Sequence, residues 1–287
     1  MRKILIVIIT LAIASISALA QSQSAPTLRI ITENPNLPSE LYYGNIKVKP
    51  LRLRPGTTQR ITIDDADFFV QQQYVDFLSR FPEPDGFNAW VGVMNRCDRN
   101  DKECGLVAVS KSFFQSEEFQ IKGYWVYRFY KASLGRMPRY AEFTPDMASV
   151  TGRTPEEREA KKTQFANVWA QRADFKAKYD VMANAAFVDE LLRTAGAQLA
   201  SRDQLVSDLE AGRKTRADVV RHVAESNEVS RKEYNGAFVA MQYFGYLRRD
   251  PEPDGYTAWL KVLDRNPDDA WTMVWGFVTS VEYRNRF

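Results

Sequence analysis

The apolar positions of the chain recur with a helical period. Val70, Tyr74, Phe77 and Leu78 fall at i, i+4, i+7 and i+8, one face of a helix. Asp64 or Asp65 stands where it could cap that helix, and Pro82 stands where it would end it. Pro84 suits the first turn of a second helix, where a missing N–H costs nothing, and this helix carries Phe87, Trp90, Val91 and Met94. A third carries Val107, Val109, Phe113 and Phe114 and ends near Phe119. None of these short helices could bury its apolar face alone, so neighbours must stack.

The pattern then returns. Residues 69–90 read FVQQQYVDFLSRFPEPDGFNAW and residues 238–259 read FVAMQYFGYLRRDPEPDGYTAW, with 13 identities over 22 ungapped positions. Two weaker copies lie between. Trp125, Val126, Tyr130, Leu134, Arg136 and Pro138 match Phe69, Val70, Tyr74, Leu78, Arg80 and Pro82, but Glu142 replaces Gly86 and Asp146 replaces Trp90. A third copy starts at Phe187-Val188, keeps Leu192 and loses the Arg and the Pro. Copies starting at 69, 125, 187 and 238 are spaced by 56, 62 and 51 residues. Each also closes alike, on Ser116-Glu-Glu-Phe119, Arg172-Ala-Asp-Phe175, Ser226-Asn-Glu-Val229 and Ser280-Val-Glu-Tyr283. The predicted fold class is all-α: about four degenerate three-helix repeats, near 65–122, 123–184, 185–235 and 236–287. The stretch Thr144 to Lys162, rich in Thr, Pro and charge, is the expected loop within this body.

The chain ahead of the repeats differs. Arg2 and Lys3 precede an apolar run from Ile4 to about Ile16, and Ala18-Leu-Ala20 follows, the layout of a secretory signal peptide over 1–20. That run is short for a membrane span, which needs about 20 residues, so no span is expected in the mature chain. Leu28-Arg-Ile-Ile, Ile46-Lys-Val-Lys and Gln59-Arg-Ile-Thr-Ile resemble short strands or extended arms, with prolines at 26, 35, 38, 50 and 55 between or beside them. They predict an extended or β-hairpin arm over 21–64.

The formal charge of +3 drops to +1 once Arg2 and Lys3 leave with the signal segment, which holds no acid. This balance gives no compositional reason to expect nucleic acid or an anionic membrane as a partner. Cys97 and Cys104 are the only cysteines, and export to an oxidising compartment favours a disulfide between them. The bridge would pin a loop of one repeat, and zinc is disfavoured because the single His222 lies far along the chain.

The sequence FVxxxYxxFLxRxPxPxG…W followed by S-E-E-F resembles the bacterial domain-of-unknown-function family 4214. The likeness is carried by Tyr74, Leu78, Arg80, Pro82, Gly86 and Trp90, and by Tyr243, Leu247, Arg249, Pro251, Gly255 and Trp259. Within that family the arm and the Cys-containing insertion are similar to a version found on secreted and surface proteins of soil bacteria such as Acidobacteria. The ending Ser280-x-Glu-Tyr-Arg-x-x-Phe287 also resembles phycobilisome linker domains, which are helical assembly modules. The resemblance implies a helical module attached to varied surface proteins, with no catalytic residue attributed to it.

Candidate chemistry is sparse. Arg80, Arg136 and Arg249 share one repeat position: either a row of guanidinium groups for acidic ligands, or helix-end arginines packed on aromatics. Glu83 with Asp85, and Glu252 with Asp254, are paired carboxylates, yet they lie in a proline turn where acids favour the following helix N-terminus. Asp98, Asn100, Asp101 and Glu103 hint at calcium but lack the EF-hand glycine and distal glutamate. Tyr124, Trp125, Tyr127, Phe129 and Tyr130 crowd one helix, and Trp271 and Trp275 stand at i, i+4, as inter-repeat core or as a partner surface. Tyr74, Tyr243, Trp90 and Trp259 complete the signature positions. The expectation is a secreted or cell-surface interaction or scaffold protein that is not an enzyme and needs no metal or cofactor. Its partner would be a protein or, alternatively, a cell-envelope glycan.

Overall fold

The computed structural model describes residues 28–31, 40–43, 46–47, 58–59, 61–152, 154–266 and 269–287. The expected leader over 1–20 and most of the 21–64 arm lie outside the described residues. Within that arm, β1 (Leu28–Ile31), β2 (Glu40–Tyr43) and β3 (Ile46–Lys47) pair antiparallel in the order β1-β2-β3. Leu28 is opposite Tyr43, and Tyr43 is also opposite Ile46. In the stretch 59–63, expected as a short strand or an extended arm, Gln59, Ile61 and Thr62 have no regular structure and Ile63 enters a turn.

The body is helical throughout. First come α1 (Ala66–Leu78), α2 (Pro84–Asn95), α3 (Leu106–Gln115) and the short α4 (Glu117–Phe119). A π-helical segment, Gln120–Tyr124, carries the chain without a break into α5 (Trp125–Leu134). Then follow α6 (Tyr140–Ser149), α7 (Pro155–Trp169), α8 (Ala173–Tyr179), α9 (Asn184–Ala195), α10 (Arg202–Glu210) and α11 (Arg216–Glu225). The last are α12 (Asn227–Gln242), a second π-helical segment Tyr243–Leu247, α13 (Pro253–Arg265), α14 (Ala270–Thr279) and α15 (Val281–Arg284).

Local chemistry accounts for the boundaries. Pro84 and Pro253 open α2 and α13 in the first turn, as the PEPDG motif predicts. Ser116, Ser226 and Ser280 cap the closing helices by accepting from the N–H three residues on, at Phe119, Val229 and Tyr283. Each of those serines also donates to the carbonyl three residues back. Two sequence expectations fail here. Thr144 to Lys162 is not a loop but most of α6 and α7, because Thr154 caps α7 through the Glu157 N–H and Pro155 takes its first position. Asp65 is the N-cap residue of α1 by backbone, but its carboxylate turns back to accept from the Thr62 N–H at 2.6 Å.

The core joins distant parts of the chain. The helices of 238–287 pack on those of 69–119, α14 against α3 and the π-helical segment Tyr243–Leu247 against α1. Phe77 and Tyr246, eight residues into their copies, meet edge to face at 5.3 Å. Beside them the Asp76 carboxylate is fully buried, held by Arg286 at 2.8 Å and Arg248 at 3.5 Å. In the middle of the chain α5 packs on α9 and α11, and α11 on α7. Trp125, Phe129, Phe165 and Trp169 interlock there, with Trp125 and Phe129 at 4.4 Å. The crowded aromatics Tyr124, Trp125, Tyr127, Phe129 and Tyr130 are all at most 2% exposed, so they are core.

Candidate functional site

The signature residues assemble into one recurring contact set. Tyr74 meets Phe113 edge to face at 4.9 Å, and Trp90 leans on the same ring at 5.6 Å. Tyr243 meets Phe277 at 4.8 Å, with Trp259 at 6.2 Å. The glycine of PEPDG lies under the tyrosine: a Cβ on Gly86 or Gly255 would stand 2.5 Å from the hydroxyl of Tyr74 or Tyr243.

The repeated arginine closes each set. Arg80 lies over the Tyr74 ring at 4.9 Å and donates Nε and Nη2 to the two carboxylate oxygens of Glu118 at 2.8 and 2.7 Å. A further guanidinium N–H reaches Glu83. Arg249 lies over Tyr243 at 5.4 Å, donates to both oxygens of Glu282 at 2.6 and 2.9 Å, and pairs with Glu252 at 2.6 Å. Both fork-to-fork pairs tie the end of a first helix to the acid of the closing motif. Hydrogen bonds donated to these carboxylates hold Arg80 and Arg249 above the usual arginine value, and Arg249 in turn holds the Glu282 carboxyl below its own.

The second copy keeps the arginine and changes its surroundings together. Arg136 lies over Tyr130 at 5.1 Å and donates to both oxygens of Glu142, at 2.8 and 2.9 Å, where the first and fourth copies have glycine. It also approaches Asp174 of the closing motif at 3.6 Å. Asp146, in the place of Trp90, accepts from the Tyr130 hydroxyl at 2.7 Å and from both terminal nitrogens of Arg172. Arg172 itself stands where Ser116 and Ser280 cap. Asp85 and Asp254 are exposed in the first turns of α2 and α13.

Cys97 and Cys104 form the expected disulfide, with Cα atoms 6.0 Å apart. Their loop is organised from within: Asp98 accepts from the Asn100 N–H, and Asp101 from those of Glu103 and Cys104. Those carboxylates serve as Asx-type turn acceptors. The loop also reaches the far end of the chain, through Lys102 over the Trp271 ring at 5.8 Å and Arg99 paired with Asp64. Trp271 and Trp275 stack nearly parallel, 5.4 Å apart, and remain partly exposed. His222 meets only the Ser201 hydroxyl among the hydrogen bonds of the described residues, at 3.0 Å.

Two concave regions stand out among the described residues. The larger is a polar cleft of about 980 Å³ between the start of the π-helical segment Gln120–Tyr124, the end of α6 and the start of α7. Arg80, Lys122, Arg158 and Lys161 line it together with Glu117, Glu118 and Glu157. Lys122 is 4% exposed and donates to Glu118 at 2.6 Å, the same carboxylate that holds Arg80. The smaller, about 630 Å³ and mainly apolar, lies between α7, α8 and the start of α11. Sequence reasoning found Arg80 but missed the cleft, because Arg158 and Lys161 belong to no signature motif, and the recurrence of Lys122 as Lys178, Lys232 and Arg286, six residues past the start of each closing motif, went unused. Among the described residues no helix is long and apolar enough to cross a membrane. No protein-family model, no curated protein and no solved structure matches this chain.

Proposed function

We propose that this chain is a non-catalytic interaction or scaffold protein acting outside the cell. In this reading it is exported by the 1–20 leader, carries the 21–64 segment as an extended or hairpin arm, and belongs with the 4214 family it resembles. Its body is about four degenerate three-helix units, near 65–122, 123–184, 185–235 and 236–287. The recurrence of the tyrosine–arginine–closing-acid set in the first and last units supports that division. The observation that carries the function is the cleft at Arg80, whose walls alternate cations and carboxylates over about 980 Å³. Such a surface fits a protein segment bearing both charges, since complementary potentials give register and selectivity.

The test is co-sedimentation of the oxidised protein with host cell envelope, before and after the envelope is stripped of protein. Binding that needs envelope proteins and is lost in Arg158→Glu/Lys161→Glu supports the reading; binding unchanged in that variant refutes the cleft as the site. A glycan partner is the second reading, favoured by the partly exposed Trp271–Trp275 stack. It predicts retention on stripped envelope, abolished by replacing those tryptophans.

A further inference from the structure

A basic residue recurs six places past the start of each closing motif, as Lys122, Lys178, Lys232 and Arg286. In three copies it closes off the end of that copy's own first helix. Lys178 donates to the Ser133 carbonyl at 3.3 Å near the end of α5, and Lys232 to the Ala195 carbonyl at 2.7 Å at the end of α9. Arg286 donates to the Gly245 and Tyr246 carbonyls at 2.9 and 2.7 Å, in the π-helical segment that ends the fourth copy's first helix. Carbonyls at a helix end lack a partner inside the helix, and a cation there also suits the dipole.

The first copy departs from this use. Lys122 donates to no carbonyl among the described residues. Its one bond goes to Glu118 Oε1 at 2.6 Å, an oxygen that already accepts from Arg80 Nε at 2.8 Å. An ammonium carries three donors, and a buried polar group without partners is costly. Lys122 is buried, and it lines the cleft of about 980 Å³. On the α7 wall of that cleft Lys161 is committed to Glu157 at 2.9 Å and to the Thr151 carbonyl at 2.6 Å. Arg158, half-buried in the same wall, makes no side-chain ion pair or hydrogen bond among the described residues. The lining acids offer less: Glu118 is shared by two cations and Glu157 holds Lys161, which leaves the exposed Glu117. The walls therefore have donors to spare and few acceptors.

We propose that the cleft takes an acidic protein segment, whose carboxylates meet Lys122 and Arg158. That partner chemistry rests on the cleft being the interaction site of the function proposed above. A guanidinium suits a carboxylate through paired donors, and the ammonium adds a point charge from the buried wall. Glu117 would repel a ligand of uniform negative charge, which favours a peptide with spaced acids over a continuous polyuronate.

The test is fluorescence anisotropy with labelled, end-capped peptides of alternating Ser and Glu or alternating Ser and Lys, titrated with the full oxidised chain at two ionic strengths. Saturable binding of the Glu peptide is expected, weaker at the higher salt, with the Lys peptide far weaker at both. Lys122→Gln and Arg158→Gln should each lower affinity about tenfold, the loss of one charge-assisted hydrogen bond. Arg193→Gln, on α9 and outside the cleft lining, should leave it unchanged. No saturable binding of the Glu peptide would overturn the proposal, as would equal affinity in Arg158→Gln. So would oligogalacturonate binding as tightly as the Glu peptide, which would make the cleft a general anion site. If Lys122→Gln does not fold, Arg158→Gln decides, since that side chain has no partner in the chain to lose. Envelope binding that is lost in Arg158→Glu/Lys161→Glu, without any binding of the Glu peptide, would keep the cleft as the site and discard the acidic partner.

Discussion

Replacing Gly255 by alanine tests the reading of the signature motif most directly, because two physical effects oppose each other there. Gly255 lies in the first turn of α13, and alanine in a helix is favoured over glycine by up to about 1 kcal/mol. Propensity alone therefore makes the variant more stable. The packing says otherwise: the new Cβ would stand 2.5 Å from the Tyr243 hydroxyl, and that ring is wedged against Phe277 at 4.8 Å and roofed by Arg249. Overpacking of this kind costs about 1–3 kcal/mol, so the expected net effect is a loss of about 1–2 kcal/mol. Glu252 is further away, at 3.4 Å, and its exposed side chain can swing aside. The cycle with Tyr243→Phe isolates the cause. Removing the hydroxyl takes away the clashing atom, so in that background alanine should be neutral or stabilising. Urea unfolding with linear extrapolation measures all four proteins. A coupling energy near zero, or a Gly255→Ala single variant more stable than wild type, would refute the account of why glycine stands in this motif.

Other substitutions probe the long-range ties. Asp76→Asn should cost about 3–5 kcal/mol in urea unfolding, because it leaves Arg286 and Arg248 without the buried carboxylate they share. Replacing Cys97 and Cys104 together by serine should cost about 2–3 kcal/mol, the chain entropy of so small a loop, and a larger loss would mean the loop also holds the body together. The hydrogen bond from Arg284, aided by Arg99, holds the Asp64 carboxyl down to about 2 from 3.8. A depressed carboxylate contributes stability above its ordinary value and loses it as pH falls toward 2, here by less than about 1 kcal/mol because the pair is partly solvated. Asp64→Asn should flatten that limb of the stability–pH curve, seen by denaturation at stepped pH.

The helical class was legible from spacing alone, since Val70, Tyr74, Phe77 and Leu78 are all buried as the periodicity requires. So was the bland reading of Arg80, Arg136 and Arg249 as helix-end residues packed on aromatics. The acid partners of Arg80 and Arg249 were visible only as a second recurring motif, because Glu118 lies 38 residues from Arg80 and Glu282 lies 33 from Arg249. Pairing two motifs takes a fold, and nothing in the spacing of either one points to the other. Thr144 to Lys162 misled because threonine, proline and charge mark loops in bulk, whereas here Thr154 and Pro155 start a helix.

The third copy shows what the recurring position requires. It has Leu192 where the others have tyrosine, and Gln198 where they have arginine. Its closing acid, Glu228, nevertheless engages the same place in the chain, accepting from the backbone N–H of Gln198 at 3.0 Å. Lys232, one turn further along α12 at the position of Lys122, Lys178 and Arg286 in the other copies, donates to the Ala195 carbonyl at 2.7 Å at the end of α9. The acid of the closing motif is thus held by a guanidinium fork in the first and fourth copies, approached by one at 3.6 Å in the second, and held by a backbone amide in the third. A ligand-binding row would demand the arginine itself, since an amide cannot replace a charged fork toward an external anion. A structural tie demands only that the end of the first helix meet the start of the next, and any donor at that point suffices. The copy that lost the arginine therefore argues that Arg80, Arg136 and Arg249 hold the helices in place. Recognition then falls to surfaces that differ between copies, as at the Arg158 and Lys161 wall of the Arg80 cleft.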